Sequence, residues 1–191
     1  SVTIGLTHSH WDHTKGVEEF LNLNPNTEIH IHKFEYERGW KGPDTHQWTH
    51  PPLTFVSLNI GELTFEIHCT PGHTPGHVTL IGHGVVISGD CLFLGRCGRT
   101  DLYGGDMYSM WESQMHLHLR LNSLPETWIV LPGHQYSMDD GSTPTFVSVG
   151  HLLENNPAIK KQTFNEFSKL KFLQFNDSLA ENAKKEHAKR G

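Results

Sequence analysis

The sequence predicts an α/β protein, and three observations lead to this fold class. Runs with the two-residue alternation of strands are interspersed with segments of helical periodicity. Several of the strand-like runs end in a loop that carries histidine, aspartate or glycine. From about residue 151 the chain changes to helix-like sequence with few strand signals. The expected organisation is one α/β domain over residues 1–150 and a helical extension over residues 151–191.

The individual elements follow from local patterns. Strands are predicted from the β-rich runs SVTIGL, TEIHIHKF, LTFEIHCT, HVTLIGHGVVISGD (two strands that turn at residues 82–84) and TWIVLPGH. The segments GVEEFLNLN, ending at Asn24-Pro25, and MYSMWESQMHLHLRL have the apolar spacing of helices. Residues 38–52 are rich in turn formers and tryptophan, which predicts a long surface loop. In the extension, a helical apolar stripe is predicted at Phe164, Phe167, Leu170, Leu173 and Leu179.

The composition excludes several classes of protein. The formal net charge of −6 over 191 residues argues against a nucleic-acid partner. A basic run near the end is expected to be a solvated face and comprises Lys184, Lys185, Lys189 and Arg190. We expect no membrane span and no signal peptide, because no stretch approaches the roughly 18 apolar residues of a span. The cysteines Cys69, Cys91 and Cys97 lack paired spacing, which favours the cytoplasm or an organelle matrix.

Histidine is the compositional anomaly, with 16 residues, and the segment THSHWDH concentrates it. If the chain stays extended there, residues two apart point the same way. His8, His10 and Asp12 would then converge, with His13 following on the first turn of a helix. Imidazole together with carboxylate suits zinc, iron or manganese better than calcium or magnesium. A chance cluster is the alternative, and three later loops argue against it.

These three loops each carry a potential metal ligand. The tight loop CTPGHTPGH presents His73 as a ligand and His77 as a residue that orients the loop. The apolar strand VVISGD delivers Asp90, which alone would be interpreted as a turn residue or helix cap. The strand IVLPGH delivers His134 through a Pro-Gly turn. Four segments of the chain are therefore predicted to meet at one site.

In this order and context, seven residues resemble the ligand set of the metallo-β-lactamase superfamily: His8, His10, Asp12, His13, His73, Asp90 and His134. The resemblance covers residues 1 to about 160 and implies an αββα four-layer sandwich with its site along one edge. It implies one divalent ion held by His8, His10 and His73. A second ion would be held by Asp12, His13 and His134, and Asp90 would bridge the two.

Physical chemistry supports a binuclear site of this kind. Two divalent ions about 4 Å apart share one hydroxide, polarise the electrophile and receive the leaving atom. The ions expected are two Zn²⁺, with iron or manganese as alternatives. Asp90, which would orient the hydroxide, and Asp12 are the expected catalytic carboxylates. Thr7, Thr70 or backbone carbonyls are candidates to hold the second ring nitrogens of the histidines.

The glycine-rich segment GRCGRTDLYGGD, residues 95–106, resembles that of the glyoxalase II thioesterases. There the resemblance implies glutathione contacts for Arg99 and Tyr136, and Arg96 is a further candidate. Asp101 departs from the pattern, because that enzyme usually has an aromatic hydroxyl at this position. The alternative role for both arginines is a salt bridge that braces the loop, since arginine binds the carboxylate of a protein side chain as well as that of a substrate.

The same segment also resembles the persulfide dioxygenases, through its CGRTD sequence. In that branch the resemblance implies a single Fe(II) held by His8, His73 and Asp90. The glycine before His134 departs from that branch, which tends to have alanine there. True β-lactamases, flavodiiron reductases and nucleic-acid-processing branches are set aside because of Asp90, His10 and the acidic net charge respectively.

The function expected is therefore a metal-dependent hydrolase that cleaves a thioester such as an S-acylglutathione with a metal-bridging hydroxide. The alternative enzyme is a mononuclear Fe(II) persulfide dioxygenase. A non-catalytic scaffold is the alternative from another class, and the complete ligand set argues against it. The expected partner is a small-molecule thioester or thiol.

The start of the chain carries one more expectation. In the superfamily several strands precede the THSHWDH motif, whereas here only SVTIGL does. We expect a sandwich that lacks its first portion, roughly a quarter of the domain, and that exposes the edge of its first strand. A preceding segment or a partner chain, including a second copy, would complete the sheet. The alternative is that the chain from Phe164 onward covers the gap.

Overall fold

The computed structural model describes residues 2–44, 46–138 and 140–175, together with residues 181 and 185. The strands are β1 (Thr3–Gly5), β2 (Glu28–His32), β3 (His46–Trp48), β4 (Phe55–Ile60), β5 (Leu63–Cys69), β6 (Val78–Gly82), β7 (Val85–Gly89), β8 (Ile129–Pro132) and β9 (Val147–Ser148). The α-helices are α1 (Trp11–Thr14), α2 (Val17–Leu23), α3 (Lys33–Arg38), α4 (Met107–Leu121), α5 (Val149–Asn155) and α6 (Phe164–Phe167), and a 3₁₀ helix spans Lys171–Leu173.

The strands form two sheets. The first has the order β1-β2-β3 and is parallel throughout. The second runs β4 to β9 in chain order and is antiparallel except where β7 pairs in parallel with β8. Because parallel strands end at the same edge, β7 and β8 deliver their following loops side by side.

Three apolar clusters separate the layers. Ile29 and Ile31 of the first sheet pack with Val17 of α2, which covers the outer face of that sheet. Trp48 of the first sheet packs with strands of the second, which forms the layer between the sheets. Leu117 of α4 belongs to the third cluster, which covers the other face of the second sheet. The predicted αββα four-layer sandwich is confirmed.

Residues 151–175 pack on α4 and are less helical than predicted. Phe167 and Leu173 are buried in the α4 cluster, whereas α6 is only four residues long. Leu170 takes an extended backbone conformation, with ψ at 128°, and this ends the regular helix before the 3₁₀ turn. Leu179 and most of the basic run (Lys184, Lys189 and Arg190) lie outside the described residues, and Lys185 is exposed.

The predicted loop over residues 38–52 contains a strand. β3 pairs with β2 in parallel register, with His30 opposite His46 and His32 opposite Trp48. A strand of three residues is too short for alternation to stand out among turn-forming neighbours, which explains why the prediction missed it.

The three cysteines are buried and form no disulfide. Burial raises the pKa of Cys69 and of Cys91 to about 12 and raises the pKa of Cys97 further. Within the described part of the chain, each helix is too short or too polar to cross a bilayer.

Candidate metal centre

Four loops meet at one edge of the sandwich, as the sequence predicts, and the first group of ligand-type atoms comes from two of them. His10 Nδ1 lies 3.0 Å from His8 Nε2 and 2.9 Å from His73 Nε2. These three nitrogens lie within 4.8 Å of one another. Bonds of 2.0–2.1 Å to a zinc ion place ligand nitrogens roughly 3.3 Å apart, so the spacing suits one ion.

The second group consists of Asp12, His13 and His134, whose ligand atoms also lie within 4.8 Å of one another. His134 Nε2 is 3.2 Å from His13 Nε2 and 3.3 Å from Asp12 Oδ2. The expectation that Asp12 converges with His8 and His10 along an extended strand is wrong. Asp12 lies in α1, and the helical turn rotates its carboxylate toward His13 and His134.

Asp90 lies between the two groups. Its Oδ2 is 3.4 Å from both His73 Nε2 and His134 Nε2, and its Oδ1 is 3.4 Å from His13 Nε2. Oδ1 is buried and, among the described residues, has no hydrogen-bond partner. A buried carboxylate oxygen without a partner is costly unless a cation satisfies it, so the residues present fit a pair of divalent ions.

The imidazoles are held in the form that binds metal. Burial lowers the pKa of His8 well below its ordinary value, that of His10 to about 2 and that of His73 to about 4. Burial, together with the nearby carboxylate of Asp12, raises the pKa of Asp90 to about 6, although His134 acts in the opposite direction. Neutral imidazole has a free lone pair, so binding of a metal ion needs no proton to leave these rings near pH 7.

Hydrogen bonds orient the ligands from behind. Thr7 Oγ1 lies 3.1 Å from His8 Nδ1, and His73 Nδ1 donates to the backbone carbonyl of Arg99 at 2.7 Å. His77 is fully buried, and its Nε2 accepts the backbone N–H of Asp90 at 3.0 Å. His77 thus holds the loop that carries Asp90, and a hydrogen bond of this kind can orient a metal-ligand loop.

Two residues of α3 connect the loops that carry the candidate ligands. The sequence does not predict this role for them. The carboxylate of Glu35 is fully buried. Its Oε2 accepts from the backbone N–H and hydroxyl of Ser9, while its Oε1 accepts from Gly76 N–H at 2.8 Å. Arg38 Nη1 donates to Ser9 Oγ at 3.0 Å. Glu35 therefore clamps the His8–His10 segment to the loop that carries His73.

Replacing Glu35 with glutamine is expected to loosen this clamp. The amide nitrogen cannot accept, so one backbone N–H that the carboxylate now satisfies loses its partner. We expect metal affinity to fall about 10–100-fold, as for other outer-shell partners of metal ligands, and stability to fall by about 1–3 kcal/mol. Competition with a chelator and thermal denaturation measure the two effects. Glu37→Gln on the exposed side of the same helix is the control, and equal affinities for the two variants would refute the clamp.

The residues predicted to bind substrate lie beside the centre. Arg99 pairs with Asp101 through two contacts of 2.8 Å, Nε to Oδ1 and Nη2 to Oδ2. The guanidinium of Arg96 lies 4.8 Å from the ring of Tyr136 and 5.1 Å from that of Phe172. Arg96 and Tyr136 line a cavity of about 620 Å³, which Lys171 and Phe172 also line. Asp101 is thus a salt-bridge partner for Arg99, which supports a bracing role for that residue, whereas Arg96 faces a cavity.

Phe93 connects this cavity to the centre. Its ring centroid is 6.0 Å from that of His134 and 5.0 Å from that of Tyr136. Phe93, Arg96, Arg99 and Tyr136 line a second cavity, of about 450 Å³, which adjoins the first at Arg96 and Lys171. None of the seven predicted ligands lines either cavity, and the ring contact between Phe93 and His134 is the link between the cavities and the centre.

The fold and this site define a class of protein: a sandwich of two sheets between helices, with histidine and aspartate side chains of a metal-type site gathered on loops at one edge. The family model described as the metallo-beta-lactamase superfamily matches residues 3–134. The chain belongs to this superfamily.

The chain is similar to several named proteins of this superfamily. A hydroxyacylglutathione hydrolase from Tolumonas auensis is 36% identical over 143 residues, which cover 72% of this chain and 49% of the relative. The probable metallo-hydrolase YqgX from Bacillus subtilis is 34% identical over 149 residues, which cover 70% of this chain and 68% of the relative. The solved structure of ETHE1 from Myxococcus xanthus superposes with a TM-score of 0.71 at 22% identity, covering 95% of this chain and 74% of that one. The chain spans about half the length of the hydroxyacylglutathione hydrolase.

Proposed function

We propose that this protein is a metal-dependent hydrolase that cleaves a thioester such as an S-acylglutathione. The observation that carries the proposal is the position of Asp90 between two groups of three ligand-type side chains. The resemblance of the chain to a hydroxyacylglutathione hydrolase, at 36% identity, supports the choice of substrate class. The three buried, unpaired cysteines are consistent with work in the cytoplasm.

In this proposal His8, His10 and His73 hold one ion. Asp12, His13 and His134 would hold the other, and Asp90 lies between the two groups. When bound, two divalent ions, of which zinc is the first choice, lower the pKa of water and polarise the thioester carbonyl.

The two carboxylates of the centre differ in exposure, and we assign them different tasks. Asp90, with a side chain only 7% exposed, orients the attacking water from inside the site. Asp12, with a side chain 37% exposed, lies at the solvent side, where the products leave. Glu35 and His77 fix the ligand loops, so the residues around the carbonyl need little rearrangement during the reaction.

The thiol carrier is proposed to lie in the cavity lined by Arg96, Tyr136 and Lys171. The cavity is lined by two basic side chains, Arg96 and Lys171, and one carboxylate, Asp140, and this excess of positive charge favours a carrier with carboxylates, such as glutathione. Stacking of Arg96 against Tyr136 holds the guanidinium plane in place, which reduces the entropy lost when a carboxylate binds.

We expect Arg96→Ala to raise KM for an S-acylglutathione about 10–100-fold and to leave kcat nearly unchanged. Hydrogen bonds to charged groups contribute about 1.5–3 kcal/mol, and loss of uniform binding appears in KM. Compared with Arg96→Ala, Arg99→Ala is expected to lower the melting temperature more and to raise KM less, because the Arg99 side chain is paired with Asp101. Steady-state kinetics with S-acylglutathione and with an acyl thioester of a neutral thiol give the comparison. An equal rise in KM for both substrates would contradict an anion site at Arg96.

The alternative function is a mononuclear Fe(II) persulfide dioxygenase, which the CGRTD sequence favours. The likeness to ETHE1 at 22% identity shows the shared fold and does not separate the two activities. Anaerobic purification with elemental analysis, followed by parallel assays, tests the proposal. Thioester hydrolysis without oxygen uptake supports the hydrolase, whereas oxygen uptake with glutathione persulfide and one iron per chain overturns it.

A further inference from the structure

A second cluster of ligand-type side chains lies on the first sheet, away from the edge loops. Glu28 starts β2 and pairs in register with Thr3, at the beginning of β1. The chain reaches His8 of the metal centre only after β1 has ended. Because β1 and β2 are parallel, Glu28 lies toward the opposite end of the sheet from the metal centre.

Strand geometry brings three side chains of this cluster together. Glu28 and His30 are two residues apart on β2 and so point to the same face. His46 of β3 lies opposite His30 in the parallel register, and their rings stack with centroids 4.4 Å apart and planes 8° apart. Glu28 Oε2 is 3.5 Å from His30 Nε2. One ligand atom from each residue lies within 4.8 Å of the others.

An independent observation at His30 points to a missing partner. The residue is only 7% exposed, and its Nε2 is buried and makes no hydrogen bond of good geometry in the described part of the chain, where Glu28 Oε2 lies 3.5 Å away. A buried polar nitrogen without a partner is costly. Burial also lowers the pKa of His30, which keeps the imidazole neutral and its lone pair available.

We propose that Glu28, His30 and His46 bind a single divalent transition-metal ion, with Zn²⁺ as the first choice, in a site separate from the edge-loop centre. Two imidazoles and one carboxylate are a zinc-type donor set, and water would occupy the fourth position. The ion can enter from solvent, because Glu28 and His46 are exposed. It would satisfy His30 Nε2 and fasten the three-residue edge strand β3 to β2.

The distance range of the cluster is compatible with this assignment. Bonds of about 2.0–2.2 Å in a tetrahedral site place ligand atoms roughly 3.3 Å apart. To reach that value from the observed spread of up to 4.8 Å, the stacked ring of His46 has to tilt so that its lone pair and that of His30 point at one ion. Glu28 and His46 are on the surface and have room to move, while His30 is fixed by burial.

The test counts metal ions on the full chain. Wild-type protein is freed of metal with a chelator, dialysed against Zn²⁺ alone and analysed by elemental mass spectrometry. His46→Ala and Glu28→Gln are each expected to hold one equivalent fewer than wild type, because exposed residues can be replaced without disturbing the core. His151→Ala removes an exposed histidine from α5 and is expected to keep the wild-type stoichiometry.

A second measurement keeps the result independent of the edge-loop centre. With Co²⁺ in place of Zn²⁺, the cluster variants are expected to lose one component of the visible absorption and to keep the component of the centre. Circular dichroism without metal checks that each variant is folded. Equal stoichiometry and equal Co²⁺ spectra in wild type, His46→Ala and Glu28→Gln would overturn the proposal. The stacked histidines would then be a packing contact. This outcome would not affect the hydrolase proposal, which depends on the edge-loop centre.

Discussion

Asp90→Ala is expected to abolish turnover and to remove at least one of two bound metal ions. Asp90 is the carboxylate that faces both groups of ligands, at 3.4 Å from His73 and from His134. Without it, two cations would face each other with no bridging negative charge, and the attacking water would lose its orienting group. Metal ions supply several kcal/mol of transition-state stabilisation, and each 1.36 kcal/mol is tenfold in rate, so kcat should fall by about a thousandfold or more.

Elemental analysis and steady-state thioester hydrolysis on the same preparation measure this effect. Glu62→Ala, in the exposed turn between β4 and β5, is the control, because it removes the same charge far from the centre. The assignment of the bridge would be wrong if Asp90→Ala kept two ions and the activity of the control.

Gly133→Ala is expected to be the second most damaging change, although it adds one methyl group. A Cβ at this position would lie 2.3 Å from Asp90 Oδ1 and 2.9 Å from His13 Cε1. Contacts under about 3 Å force a shift, and here the groups in the way are the carboxylate of Asp90 and the ring of His13, both predicted ligands. We expect displacement of Asp90, loss of the ion held by Asp12, His13 and His134, and a fall in kcat of about 100-fold or more.

Gly16→Ala provides the matched comparison. A Cβ on Gly16 meets nothing within 4 Å, although this glycine also belongs to the stretch that carries the first ligands. Metal content and activity should therefore survive there. Wild-type metal content in Gly133→Ala would show that the backbone of residues 132–134 yields easily and that Asp90 is not fixed by close packing.

The Gly133 prediction also bears on the choice between the two candidate activities. The resemblance to persulfide dioxygenases implies alanine before the last histidine, whereas this backbone brings Gly133 against the Asp90 carboxylate. An alanine would need a different position of that carboxylate, which suits a site that does not use Asp90 as a bridge between two ions. The close approach at Gly133 therefore favours the binuclear hydrolase.

The convergence of the candidate ligand residues could be predicted because their positions depend on local geometry. His73, Asp90 and His134 each follow a strand or tight turn, and the ends of neighbouring strands converge on one edge of a sheet. Asp12 was placed on the wrong element, since an extended chain and a short helix cannot be told apart over four residues. Its grouping with His13 and His134 came from the family resemblance.

Glu35 and β3 were not predictable from the sequence, for a different physical reason. The segment KFEYER has the alternating charges of a solvated helix, and only the tertiary fold shows that Glu35 is buried against Ser9 and Gly76. Likewise, β3 exists because β2 offers it an edge to pair with, not because its three residues favour a strand. Long-range pairing of backbone groups leaves little local signal.

The burial of the three cysteines has a consequence for the proposed thioester hydrolysis, which would release a thiol. Exchange between a thiol and a disulfide requires an accessible thiolate. Cys91 is adjacent in sequence to Asp90, yet it is fully buried and its pKa is raised to about 12. Cys69 and Cys97 are equally shielded. None of the three cysteines therefore presents a thiolate that could form a mixed disulfide with a thiol product. The activity of the protein would then not depend on the redox state of the surrounding thiols.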